Sequence, residues 1–459
     1  MSSLVYRING LLCQVVSGVG IGTNLDLFLL LWMILGGRLL LSRGGVIPGL
    51  ALFGLSEKAV RRCWAALTYG CWETRDLIQR FEKQVVAEGR FQPHAYGGYR
   101  PVAGDLTGFF RPCLKGCKTK HYSAPHGKAL PAIPVGLLAR VGSVEGKRLS
   151  LPLALVRADP NDPGEPSLRG RLLQEAKRQL TEKEALVLDR GFPLSEIQAA
   201  GIERYVVRGP QNFTARRSQP PPYKGWGRRP TKGEIVRPLA RKYRNHFIPA
   251  TPPDRKEEWR VTGKGSVFFL RAEFWDDLVS KEEVAKEEVA KDTEGRAEIT
   301  APETFRCVVI YDPRYIEPLL LVTPLDLSGD DLRRLYLDRW PIEGLPQVAK
   351  QMLGAARQFV FGEESRKRLP ELSLLSGAIL SYLAATEPAP PAGFWDRSPK
   401  PTAGRLRRVL ATVHFEDLEA IPNELRKKDS PTAHLPKGIQ AHRRQKRSID
   451  PSRGVPLAA

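Results

Sequence analysis

Between residues 98 and 210 the apolar runs change their rhythm, and that change restricts the fold more than any other feature of the chain. Tyr99–Phe110 (YRPVAGDLTGFF) reads as a strand with an aspartate near its middle. Ala132–Val141 and Arg148–Val156 are apolar or alternating runs on either side of Gly142–Gly146, which predicts a hairpin. Ser167–Leu180 has helical spacing, with Leu172, Leu173, Ala176 and Leu180 on one face. Ala185–Leu188 is a short buried strand ending in Asp189-Arg190-Gly191-Phe192. Pro193–Ala200 opens a helix, and Arg204–Val207 is a further strand. A meander followed by alternating strand and helix implies a mixed sheet with helices packed on it, an α/β class. Arg306–Tyr311 and Leu319–Thr323 are apolar strands that return to that sheet.

The flanking segments differ in character. Residues 1–90 read as helical. Leu25–Leu41 is a buried helix; its apolar core Leu25–Leu35 contains Asp26 and falls short of the roughly 20 apolar residues a membrane span needs. Gly44–Gly54, with Pro48 inside, is a break. Leu55–Tyr69 forms a helix with Ser56 as N-cap and Val60, Trp64 and Leu67 on its apolar side. Trp72–Val86 continues as another. A short helix, a turn and a helix carrying Lys58, Arg61 and Arg62 is similar to a helix-turn-helix, which makes these cations candidate DNA contacts; many small helical bundles share the pattern. Residues 211–300 are rich in Pro, Lys and Arg, with strand-like runs at Glu258–Thr262 and Ser266–Leu270, and read as a β-rich basic insertion. Within it Lys281–Lys291 repeats KEEVA and reads as an exposed charged helix or loop. Leu369–Ala385 is a buried helix. Beyond Thr386 the chain turns Pro-rich, and 425–459 is basic with few apolar residues, a composition of disorder. The expected organisation is therefore 1–90, 98–385 and a tail 386–459.

Lys and Arg number 71 against 50 Asp and Glu, a net charge of +21. Such an excess points to a polyanionic partner, nucleic acid ahead of a membrane surface. Six cysteines in 459 residues do not make a disulfide framework and fit a reducing cytoplasm, where a DNA partner would make the protein nucleoid-associated. Cys113, Cys117 and His121 have zinc-like C-x3-C-x3-H spacing but no evident fourth ligand, so they read as loop residues.

Tyr336, Arg339, Glu343 and Lys350 lie in LRRLYLDRWPIEGLPQVAKQMLG. On one continuous helix their offsets bring an aromatic hydroxyl, a guanidinium, a carboxylate and an ammonium to one face, although Pro341 and Pro346 favour a kink. A lone carboxylate among cations suits a site that holds a metal and phosphates together; a solvated face with i,i+4 ion pairs has the same pattern. Asp105 and Asp189 each lie in hydrophobic, strand-like sequence, where a carboxylate is costly unless paired or metal-bound. Asp105, Asp189 and Glu343 together could hold two divalent ions, and oxygen ligands suit Mg²⁺ or Mn²⁺.

The Y-x2-R-x3-E-x6-K spacing of Tyr336, Arg339, Glu343 and Lys350, with Asp105 in VAGDLTGFF and Asp189 in LVLDRGF, resembles the signature of DDE transposases of the insertion-sequence-4 group. The resemblance covers roughly residues 98–385. It implies a ribonuclease-H-like fold with a β-rich insertion between the second aspartate and the glutamate. It further implies metal-dependent cleavage of transposon ends and transfer of the freed 3′ end to target double-stranded DNA, by a homodimer in a synaptic complex. Asp105, Asp189 and Glu343 would be the catalytic metal ligands, and Tyr336, Arg339 and Lys350 would grip the phosphate near the cleaved end. Some relatives hold a flipped base on a tryptophan of the insertion; Trp226, Trp259 and Trp275 are candidates, with core packing expected for each. An inactive DNA-binding remnant and a stand-alone nuclease of related fold are the competing readings.

Overall fold

The computed structural model describes residues 2–418, apart from 160, 224, 227–229, 231, 245, 264 and 281–302, together with 421, 422 and 425. The KEEVA repeat and almost all of 425–459 lie outside the described residues. The chain divides into two compact units: a sheet unit of Phe91–Gly108 and Gly116–Leu345, and a helical unit of Met1–Arg90, Phe109–Lys115 and Pro346–Ala459. This differs from the expected division at 98–385. The turn-rich stretch after Glu343 is where the chain leaves the sheet, and the helix expected at Leu369–Ala385 has its partners among residues 1–90.

The sheet unit is built on a 13-stranded sheet. Strand Arg100–Phe110 lies between Lys128–Val144 and Glu184–Leu188, and Tyr205–Arg208 follows outside Glu184–Leu188. Arg100–Phe110 runs parallel to Glu184–Leu188, which runs parallel to Tyr205–Arg208. The predicted hairpin forms from Lys128–Val144 and Lys147–Arg157. Its turn is tighter than expected: Glu145 and Gly146 alone reverse the chain, at φ 48° and 75°. Consecutive positive φ values match the right-handed twist of the flanking strands. Helix Glu165–Gln179 buries Leu168, Leu172, Leu173 and Ala176 in the core beneath these strands. Gly104 permits the close approach of the central strand, because a Cβ there would lie 2.6 Å from the Leu188 side chain.

Most strands of the expected insertion join the large sheet, while Arg241–Tyr243 and His246–Ile248 pair with each other in a two-stranded sheet. Arg255–Gly263 pairs with Ser266–Val279, which pairs with Phe305–Tyr311 and so extends the same sheet through Leu319–Thr323. Of the tryptophans weighed there, Trp275 is fully buried and its Nε1 donates to the Thr251 and Pro252 carbonyls. Trp259 packs partly buried on the core, whereas Trp226 is 78% exposed, contrary to the packing expected of it.

In the helical unit the run Leu25–Leu41 is two helices, Thr23–Leu35 and Arg38–Leu41, parted at Gly36-Gly37 where Gly37 takes φ 68°. The expected break at Gly44–Gly54 contains a short helix, Val46–Leu52; Pro48 is tolerated because a first-turn N–H has no helical partner. Helices Glu57–Tyr69 and Thr74–Ala87 follow as predicted. Glu363–Thr386 is the one helix among the described residues long and apolar enough to cross a membrane, and its apolar window is 94% buried within the protein. Buried arginines tie the two ends of the chain into this unit through backbone carbonyls. Arg368 donates to the carbonyls of Leu67, Gly70 and Trp72 and lies 4.5 Å from the Trp72 ring. Arg38 donates to Leu410 and Val413, and Thr74 donates to Glu371 at 2.6 Å.

Residues 1–90 are therefore part of a shared core. Arg368→Ala leaves three acceptors without their donor and should cost about 3 kcal/mol or more. Chemical denaturation of the variant against the wild type measures it, and a change below about 1 kcal/mol would show that water replaces the guanidinium.

Candidate active site

The central strand and its parallel neighbour place the two aspartates. The register runs Ala103 opposite Val187, and two residues further it sets Asp105 beside Asp189, just past the end of Glu184–Leu188. Asp105 accepts from the Leu106 N–H at 2.9 Å. Tyr336, on helix Gly329–Leu337, donates its hydroxyl to Asp189 Oδ1 at 3.2 Å.

The single continuous helix through the four-residue signature is not what forms. Helix Gly329–Leu337 stops at Asp338, a 3-10 turn spans Trp340–Glu343, a short α segment Gly344–Gln347 follows, and Val348–Met352 is a π turn. Pro341 and Pro346 remove two backbone donors from the stretch, so one α ladder cannot run through it. Tyr336, Arg339 and Glu343 stay with the sheet unit; Lys350 belongs to the helical unit, where its Nζ lies 5.1 Å from the Phe109 ring centre.

The break improves the focus on one atom group. Arg339, only 4% exposed, donates from its Nη2 to Glu343 Oε1 at 2.6 Å. Burial pushes its pKa down, but Asp189, Tyr336, Asp105 and Glu343 outweigh that and raise it. Its Nε is buried without a hydrogen-bond acceptor. Burial pushes the Asp105 carboxyl up to about 6; Arg339 and the Leu106 N–H oppose this, while Glu343 and Asp189 add to it. Burial, then Asp189, also raises the Tyr336 phenol. Three carboxylates from distant parts of the chain thus act on one buried guanidinium.

Among the described residues, no three Asp, Glu, His or Cys side chains already form a metal-holding group. The donor chemistry nonetheless fits a hard divalent cation such as Mg²⁺ or Mn²⁺: the carboxylates outnumber the one guanidinium among them, and Asp105 lacks the solvation that would offset its charge. Beside Tyr336 opens a cleft of about 460 Å³, lined among others by Arg208, Arg314, Arg333, Ile316 and Trp340. Asp312 is shared by Arg314 and Arg333.

The candidate DNA-contacting cations of Glu57–Tyr69 are not equivalent. Lys58 is exposed; Arg61 is 79% exposed and paired with Glu57; Arg62 Nε lies 3.7 Å from buried Asp26. Arg62 serves the helical core by balancing that carboxylate, a partner its sequence neighbourhood does not reveal. His121 pairs with Glu165 at 2.8 Å, and Cys117 points its thiol at the Ala132 carbonyl. The sequence reading also missed His94, Tyr96 and Asp338, which meet next to Arg339; the only signal was an aspartate directly preceding the arginine.

Asp105 supplies a pH test. Its folded pKa, about 6, lies above the 3.8 of a free aspartate, so its protonation stabilises the fold fully below about pH 4 and loses that contribution as pH rises through about 6. In metal-free protein Asp105→Asn should therefore raise stability by about 1–3 kcal/mol at pH 7.5 and by almost nothing at pH 4. Thermal unfolding at both pH values decides it; equal gains would mean that burial does not perturb the carboxyl. The chain matches no protein-family profile and no curated protein.

Proposed function

We propose that the chain is a DDE transposase similar to the insertion-sequence-4 group, cleaving double-stranded DNA at transposon ends and joining the freed end to target DNA. The observation that carries the reading is the convergence of Asp105, Asp189 and Glu343 on buried Arg339. The fold supports it as well. A three-strand meander, 100–110, 128–144 and 147–157, joined through its first strand to two parallel strands is the order of a ribonuclease-H-like sheet. Asp105 lies inside the first of these strands, Asp189 just past the fourth and Glu343 in the turn after helix Gly329–Leu337, an arrangement that supports the reading. The net charge of +21 suits a polyanion.

In this reading Asp105, Asp189 and Glu343 hold two divalent ions, whose chemistry activates the attacking oxygen and stabilises the leaving one. Tyr336 orients Asp189 through its hydroxyl. Arg339 balances the acids and, through its unsatisfied Nε, offers a donor to a phosphate oxygen. Arg208 adds a cation beside Tyr336. Lys350 enters this proposal on the resemblance alone, and a homodimer likewise.

Two measurements test the proposal. Nicking of a labelled duplex carrying the inverted repeats that flank the gene should require Mg²⁺ or Mn²⁺. Asp189→Asn and Glu343→Gln should each reduce it by about 10³-fold or more, and the double variant should be little worse, since groups that act as a unit fail together. Wild-type nicking by either variant would sink the assignment. Separately, log affinity for that duplex should fall steeply and linearly with log salt. A flat response between low and moderate salt would exclude a phosphate-gripping role.

A further inference from the structure

Asp338 stands where a carboxylate is least welcome. Its side chain is fully buried, and it occupies the C-terminal end of helix Gly329–Leu337, the negative pole of the helix dipole. A neutral residue would end this helix at lower cost. The surrounding groups balance the charge. His94 Nδ1 lies 2.6 Å from Asp338 Oδ2, and the Tyr96 hydroxyl donates to the same oxygen at 2.8 Å. Arg148 Nε is 3.6 Å from Oδ1. His94 is fixed in turn by Ser143, whose Oγ is 2.6 Å from Nε2, and by its backbone N–H, which donates to the Val141 carbonyl at 3.1 Å. Ser150 donates to the Pro341 carbonyl at 2.9 Å, a second tie to the same turn.

These ties run from the meander strands to the turn that carries Arg339 and Glu343. Arg339 follows Asp338 directly, and Glu343 ends the 3-10 turn that begins at Trp340. Because Pro341 denies this stretch a continuous helix, only turn-type backbone bonds hold it, such as Arg339 N–H to Tyr336 and Ile342 N–H to Arg339, and the side-chain anchors add to them. We propose that His94 and Tyr96 are positioning residues: by holding Asp338 they fix the turn and so set Arg339 and Glu343 against Asp105 and Asp189. The catalytic consequence rests on the transposase reading; the anchoring of the turn does not.

The experiment compares wild type, His94→Ala, His94→Asn and Tyr96→Phe. Asparagine places an N–H donor near the position of the imidazole Nδ1. Hydrogen–deuterium exchange is followed over Asp338–Leu345 and over the rest of the sheet, and kcat and KM are measured for Mg²⁺-dependent nicking of the flanking-repeat duplex. His94→Ala should speed exchange over Asp338–Leu345 alone and lower kcat by about 100-fold with KM nearly unchanged. His94→Asn should restore most of both, and Tyr96→Phe should show a smaller loss of the same kind. Wild-type exchange over the turn in His94→Ala overturns the proposal. So does a rise in exchange throughout the sheet that His94→Asn does not reverse, or an unchanged kcat in active protein. If wild-type protein nicks no such duplex, the transposase reading fails instead, and exchange with the asparagine rescue still decides whether His94 anchors the turn.

Discussion

A carboxylate taken out of water needs a counter-charge: Asp105 is so placed, and Arg339 is the side chain on which it, Asp189 and half-exposed Glu343 all act. Arg339 is 4% exposed, it bonds Glu343, and Asp105 and Asp189 raise its pKa despite its burial. An isolated buried carboxylate costs several kcal/mol. The arrangement of strand, neighbouring strand end and broken helix can hold these acids together only because the guanidinium is there.

The protein uses buried arginine in a second and different way. Arg368 and Arg38 of the helical unit are met chiefly by backbone carbonyls at helix ends and turns. A helix end leaves carbonyls without partners, and a planar guanidinium can serve several at once. That device locks segments far apart in the chain into one core, which is why the helices at 1–90 and the helix at 363–386 form a single compact unit. Arg339, in contrast, is met by carboxylates: it bonds Glu343 and feels Asp189 and Asp105.

Much of the sheet was legible in the sequence, because its strands are apolar runs bounded by turn residues. Arg100–Phe110, the Lys128–Arg157 hairpin and the Glu184–Leu188 strand formed within a few residues of the expected bounds. The Val46–Leu52 helix was read as a break because the four glycines and one proline of Gly44–Gly54 outweigh its apolar content in any local scale. The exposure of Trp226 was equally hidden, since an aromatic side chain reads as core until its neighbours are known. The length of Ser266–Val279, which carries the sheet well beyond Leu270, depends on pairing with Phe305–Tyr311, a partner far along the chain.

For the candidate site, residue type and spacing, together with the family resemblance they carry, singled out Asp105, Asp189, Tyr336, Arg339, Glu343 and Lys350. They did so because charge in hydrophobic sequence demands a partner. Tertiary structure decided the rest. Parallel register set Asp105 beside Asp189, since only strand pairing relates residues so far apart. Two prolines ended the helix after Asp338, so Glu343 reaches Arg339 from a 3-10 turn and Lys350 falls in the other unit. Burial made Arg62 a partner of Asp26 and assembled His94, Tyr96 and Asp338 beside Arg339. Burial is a property of the packed molecule, and a linear string of residues cannot specify which polar group will have to satisfy which.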